Sequence, residues 1–148
     1  MGCDVVLRLV DVVKIYGVGA TQTYGLRGVT LSVCKGDFIA VMGPSGSGKT
    51  TLLNMMGLLD KPTRGRVYID GLDVSKLSPR RLALMRNRKI GFVFQHFNLV
   101  NRLTVLENIE LPLVARGVPP GKRRQKAVSA LLRVGGERSW LLKKPRFL

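Results

Sequence analysis

Acidic side chains are scarce: nine Asp and Glu stand against 25 Lys and Arg in 148 residues, a formal charge of +16. Such a field attracts polyanions, whether nucleic acid, nucleotide or an anionic membrane surface. The basic residues are dispersed in short clusters such as Arg86 to Lys89 and Lys122 to Lys126, without interleaved aromatics or a nucleic-acid motif, which counts against nucleic acid. No apolar run approaches the ~20 residues that cross a bilayer. No basic, apolar, small-residue leader pattern opens the chain, so the default expectation is cytosolic. Histidine and tryptophan occur once each, and the two cysteines, Cys3 and Cys34, have no metal-ligand spacing. They are expected to be buried or half-buried free thiols. There is no internal repeat, and the length suits one domain.

What is present is 45% hydrophobic residues in short segments, enough for a core. Leu7 to Val13 reads as a strand, followed by Tyr16 and a turn region from Gly17 to Gly25. Val29, Leu31 and Val33 alternate, the mark of a half-buried strand over Val29 to Cys34. Phe38 to Met42 is apolar at every position, as in a parallel strand covered on both faces. A helix is expected from Lys49 to Leu59, its Leu52, Met55 and Met56 packing inward. Arg66 to Asp70 reads as a strand, Ser78-Pro79 as a helix start, and Ile90 to Gln95 as a further buried strand. Thr104 and Glu107 have capping-box spacing, with a helix running towards Pro112. Gln125 to Val134 reads as the last helix. Strands alternating with helices predict a layered α/β domain with an antiparallel portion near the amino terminus.

The segment Gly43-Pro44-Ser45-Gly46-Ser47-Gly48-Lys49-Thr50 fits G-x-x-x-x-G-K-T between an apolar strand and a helix. Glycines let the backbone curl so that successive N–H groups converge on an anion. The helix beginning near Gly48 aims its positive dipole end at the same place. Lys49 is placed for β- and γ-phosphates and the Thr50 hydroxyl for Mg²⁺. Ser45 is positioned for a further phosphate hydrogen bond, and Thr51 for local support near the α-phosphate. These residues point to nucleotide phosphates and leave the base open.

With the stretches GDFIAVMGPSGSGKTTLLNMMGLLDKPTRGRVYIDG and RNRKIGFVFQHFNLVNRLTVLENIELPL, the chain resembles the amino-terminal part of the nucleotide-binding subunit of an ATP-binding cassette (ABC) transporter, in the lipoprotein-release and macrolide-export branch. The resemblance implies a P-loop nucleoside triphosphate hydrolase fold and ATP with Mg²⁺ as ligands. Its implied partners are a transmembrane permease subunit and a second nucleotide-binding subunit, at the inner face of the cell membrane. It divides residues 1–148 into a P-loop core portion (1–95), the start of a helical subdomain (96–135) and a divergent tail (136–148). Tyr16 matches the aromatic that stacks on adenine; a strand-end core aromatic is the competing reading. Gln95 matches the glutamine that contacts Mg²⁺ and the attacking water. Leu99, Val100 and Leu103 fall where that family meets its membrane subunit, or are buried within the subdomain. His96 does not match the family's catalytic histidine and is read as an exposed loop side chain.

The family's serine-glycine-glycine-glutamine signature, its Asp-Glu strand and its switch histidine do not occur in these residues. The expectation is therefore weak nucleotide binding, negligible turnover by the 148 residues alone, and apolar surface where further strands would pair. A non-catalytic nucleotide-binding or regulatory module is the alternative, and a basic nucleic-acid-binding protein a weaker one.

Overall fold

The structure, a computed structural model, describes residues 2–147. The chain divides into two compact units, residues 1–86 and 87–148.

The first unit is built on a four-stranded sheet in the order β2-β1-β3-β4. Its strands are β1 (Val5–Tyr16), β2 (Thr23–Cys34), β3 (Arg64–Ile69) and β4 (Leu72–Asp73). Every pairing is antiparallel, as expected for the amino-terminal portion. Leu7, Leu9 and Val12 turn inward from β1 and meet Leu26, Val67 and Ile69 from its neighbours. The skip from Leu9 to Val12 marks an irregularity in the register of β1 against β2. There Asp11 has φ 48° and its N–H donates to Thr30 Oγ1 at 3.0 Å. Gly65, φ 83°, lies against the Asp11 carbonyl, where any Cβ would collide with backbone. Both long strands extend further than their apolar patterns indicated, and β2 takes in Thr23 to Gly25 of the expected turn.

Helix α1 (Lys49–Met56) supplies Met55 to the core, while Leu53 faces solvent. Helix α2 (Pro79–Lys89) starts where Ser78 accepts the Arg81 N–H at 3.4 Å and buries Leu82.

Two expected strands do not form. Phe38 to Met42 and Ile90 to Gln95 are both irregular. Phe38, Met42 and Val93 are 97%, 87% and 103% exposed, the opposite of the burial that their composition implied. A strand apolar on both faces needs a hydrogen-bonded ladder and two covering layers. Among the described residues neither segment finds such neighbours, so apolarity alone does not make it a strand. The aromatic rings of Phe92 and Phe94 instead stack on each other at 5.4 Å. The expected apolar surface is thus present.

The cysteines also depart from expectation. Cys3 and Cys34 are joined in a disulfide, Cα atoms 5.8 Å apart. The pairing of Val5 with Cys34 across β1 and β2 brings the beginning of one strand to the end of the other. A 31-residue sequence separation is closed by sheet register, which spacing alone does not reveal.

The second unit packs α3 (Val105–Ala115) against α4 (Pro120–Arg133). Val105, Leu106, Ala127, Leu131 and Leu141 form its core. Leu141 comes from the tail, so residues 136–148 contribute to this unit. Tail carbonyls also satisfy the open end of α3: Val105 N–H donates to Lys143 O at 2.9 Å and Leu106 N–H to Leu141 O at 3.0 Å. Gly136 is buried against the Leu131 side chain, where a Cβ would come within 2.8 Å of Cγ. Ala130 and Val134 are exposed.

The capping box forms as expected. Thr104 Oγ1 accepts the Glu107 N–H at 3.2 Å, and Glu107 Oε2 accepts the Thr104 N–H at 2.7 Å. The Thr104 backbone and hydroxyl hold the Glu107 carboxyl below its ordinary pKa. Helix α3 runs on past Pro112 to Ala115 rather than ending at the proline. The Pro112 carbonyl accepts Asn87 Nδ2 at 3.0 Å, and the Arg116 guanidinium contacts both the side chain and carbonyl of Asn87. Thr104→Ala is expected to cost about 1 kcal/mol of stability, read in urea unfolding of the chain. No change would contradict the role of this cap.

Candidate functional site

The end of β1, the start of β2 and the beginning of α1 enclose an open cleft of about 600 Å³. Tyr16, Thr23, Tyr24 and Gly25 line one side; Ser45, Gly46, Gly48, Lys49, Thr50 and Thr51 line the other. Tyr16, singled out in the sequence 33 positions before Lys49, therefore shares a cavity with the glycine loop.

The loop's shape follows from its glycines. Gly43, Gly46 and Gly48 have φ of 154°, 79° and 89°. Gly48 is additionally fixed by its neighbour, because a Cβ there would overlap the Gly25 carbonyl oxygen. It caps α1 in the left-handed region, and its carbonyl accepts the Leu52 N–H at 2.8 Å. The unpaired N–H groups of the first turn are thereby left at the helix start. Lys49 folds back across the loop and donates to the carbonyls of Gly43 at 2.8 Å and Pro44 at 2.6 Å. Ser47 Oγ lies 3.5 Å from the same ammonium. A cation held over a run of peptide groups, beside a helix N-terminus, has the donor chemistry to receive phosphate oxygens in exchange for those carbonyls. The Thr50 hydroxyl borders the same space as an oxygen donor for a hard cation.

Gly25, Tyr24 and Thr23 were missed by sequence reasoning. A Cβ on Gly25 would sit 2.8 Å from Tyr16 Cε2 and 3.0 Å from the Thr51 side chain. The missing side chain lets the aromatic ring approach the helix start. The available signal was a glycine inside a strand, which often marks close approach of other groups. Tyr24 carries the Arg27 guanidinium over its ring at 4.6 Å.

An ion pair flanks Tyr16. Lys14 Nζ lies 5.0 Å from the ring centroid and 2.7 Å from the Asp60 carboxylate, and donates to the Lys61 carbonyl at 2.9 Å. Burial pushes the Asp60 pKa up, but the Lys14 hydrogen bond, the Lys61 N–H, the Lys14 charge and Tyr16 together bring it below its ordinary value. A depressed folded pKa contributes stability above the unfolded pKa, lost as pH falls through the folded value. Asp60→Asn is expected to flatten the acid side of the stability–pH curve below about pH 4. An unchanged curve in melts taken across that range would contradict the assignment.

The residues lining the cleft all belong to the first unit. Gln95 belongs to the second, exposed in a bend after Ile90 to Phe94, and His96 beside it is exposed as expected. Leu99 is 48% exposed, whereas Val100 and Leu103 are half-buried. Among the described residues there is no cluster of three or more His, Cys, Asp or Glu suited to a metal. No helix of the described residues is long and apolar enough to cross a membrane.

The glycine loop leading into α1, beside an amino-terminal antiparallel sheet, fits a P-loop nucleoside triphosphate hydrolase fold, and comparison with known proteins agrees. A solved dimeric post-hydrolysis state of the ATP-binding cassette MJ0796 bound to ADP and Pi matches with a TM-score of 0.85 and 43% identity, over 96% of this chain and 62% of that one. The family model for the ABC transporter matches residues 26–145. The chain belongs to the ABC transporter family. An uncharacterized ABC transporter ATP-binding protein of Thermotoga maritima is 53% identical over 88% of this chain and 56% of its own length. The macrolide export ATP-binding/permease protein MacB of Syntrophobacter fumaroxidans is 48% identical over 87% of this chain and 18% of its own. The chain thus spans a little over half of the Thermotoga maritima relative.

Proposed function

We propose that this chain is the nucleotide-binding part of a transport ATPase, taking Mg-ATP into the cleft between Tyr16 and the glycine loop. The observation that carries this reading is the shared cavity of Tyr16, Lys49 and Thr50. Phosphates would lie against the backbone of Gly43 to Gly48 and the start of α1, with Lys49 on the β- and γ-phosphates. Ser45, Ser47 and Thr51 would add hydroxyl contacts, and the adenine would stack on Tyr16. Thr50 would provide an oxygen for Mg²⁺, which when bound would neutralise charge developing between the phosphates. For Gln95, in the second unit, the contact with Mg²⁺ and the attacking water stays what the family resemblance implies.

In the complete protein, nucleotide binding and hydrolysis would drive export or release of a substrate through a membrane permease subunit. A second nucleotide-binding subunit would complete the pair, and the assembly would sit on the inner face of the cell membrane. Support for the nucleotide and for pairing comes from the relative solved as a dimer with ADP and Pi; support for export comes from the MacB relatives. The 148 residues alone would bind nucleotide with little turnover. Hydrolysis well above background that disappears in Lys49→Ala would contradict that last statement.

Competition separates the base from the phosphates. Tyr16→Ala is expected to weaken Mg-ATP by about tenfold while leaving inorganic tripolyphosphate nearly unchanged, since aromatic–base stacking contributes about 1–3 kcal/mol. Equal loss of both ligands would make Tyr16 a structural aromatic rather than a stacking one.

A further inference from the structure

A second concave surface lies wholly within the second unit. Along α4, residues at helical spacing line an open groove of about 750 Å³, to which Arg138 of the turn that follows also contributes. Ala127 and Leu131 point to the core against α3, so this groove occupies a different face of the helix. Its floor includes Val128 and Leu132, the latter 43% exposed. Its walls carry Arg124, Arg133 and Arg138, with Gln125 between them, and no carboxylate lines it.

The helix itself contains no Asp or Glu, while Lys122 and Lys126 extend the positive field outside the groove. The nearby carboxylates are engaged elsewhere. Glu110 of α3 stands 3.9 Å from Arg123, and Glu137 accepts the Ser139 hydroxyl at 2.9 Å. Among the described residues, no hydrogen bond or ion pair involves the side chain of Arg124, Arg133 or Arg138. Three exposed guanidiniums beside a half-covered apolar strip make a surface that attracts an anion carrying an apolar group.

We propose that this groove is a docking site for an acidic peptide segment of a protein partner, one that presents carboxylates on either side of an apolar side chain. Charge complementarity selects the anion, and planar guanidiniums favour bidentate carboxylates. The concavity selects a narrow segment over a flat bilayer, and Val128 and Leu132 select a segment with an apolar residue over a bare polyanion. The site is separate from the nucleotide cleft and does not depend on it.

The test is fluorescence anisotropy of a short fluorescein-labelled peptide of alternating Glu and Leu, titrated with the full chain at physiological salt. Saturable binding is expected, weakened about tenfold or more by combined Arg124→Glu and Arg133→Glu. Lys76→Glu, an exposed control, should leave it intact, as should Lys49→Ala. Circular dichroism checks the fold, and Arg124→Gln with Arg133→Gln provides a milder version with a smaller loss in the same direction. Equal binding by the reversed variants, equal loss with Lys76→Glu, or equal affinity for a Lys and Leu peptide would each overturn the proposal. So would tighter, arginine-dependent binding of phosphatidylserine vesicles or single-stranded DNA, which would assign the groove to a lipid surface or a nucleic acid.

Discussion

Replacing Cys34 by serine is expected to lower the stability of the first unit by about 3–4 kcal/mol under oxidising conditions, the loop-entropy value for closing some thirty residues. The bond ties the start of β1 to the end of β2, strands that otherwise meet through backbone pairing and a shared core. Residues downstream of Cys34 lead directly to the phosphate loop. Cys34 N–H donates to Asp37 Oδ2 at 2.7 Å, and Asp37 N–H donates to the Cys34 carbonyl at 3.1 Å. The effect is a large share of the stability of a small domain. Thermal melts should fall when the wild type is treated with a thiol reductant, whereas Cys34→Ser should be insensitive to it. Two alkylatable thiols in the untreated protein, with identical melts for both forms, would contradict the bond.

The second large effect concerns Lys49. Its ammonium bridges the carbonyls of Gly43 and Pro44, which positions the charge over the loop. Charge-assisted hydrogen bonds contribute about 1.5–3 kcal/mol, so Lys49→Ala should lower the affinity for Mg-ATP by about ten- to a hundredfold. Tripolyphosphate should lose affinity to the same degree, in contrast to its expected indifference to Tyr16→Ala. Because Lys49 also cross-links the loop, urea unfolding distinguishes local loss of the anion contact from collapse of the fold. Stability near that of the wild type together with lost binding is the expected combination.

The parts of the fold legible in the sequence were those whose signals are local. The phosphate loop is written in glycines that adopt positive φ, and the start of α3 in the Thr104–Glu107 pair; both appear where expected. The strand β1 was recognisable from Leu7 to Val13, and the inward face of α1 from the spacing that includes Met55. What the sequence hid depends on partners distant along the chain. Phe38 to Met42 and Ile90 to Gln95 have central-strand composition, but a strand exists only with a ladder, and the described residues supply none. The Cys3–Cys34 bond is set by β1–β2 register, which no spacing rule encodes. Helix α3 passes Pro112 with Asn87 held against that turn, a contact 25 residues away. At the site, the loop residues were evident from their motif. Gly25 was not, because its role is to be absent from the space that Tyr16 and Thr51 fill.

The central claim is that the cleft between Tyr16 and the glycine loop takes a nucleoside triphosphate through Lys49. Its most direct test is calorimetric titration of the purified chain with Mg-ATP, alongside Lys49→Ala. The account predicts saturable binding near one-to-one that the substitution weakens by about ten- to a hundredfold. A folded, soluble chain that releases no binding heat at any temperature tried, or that binds equally well without Lys49, would contradict it.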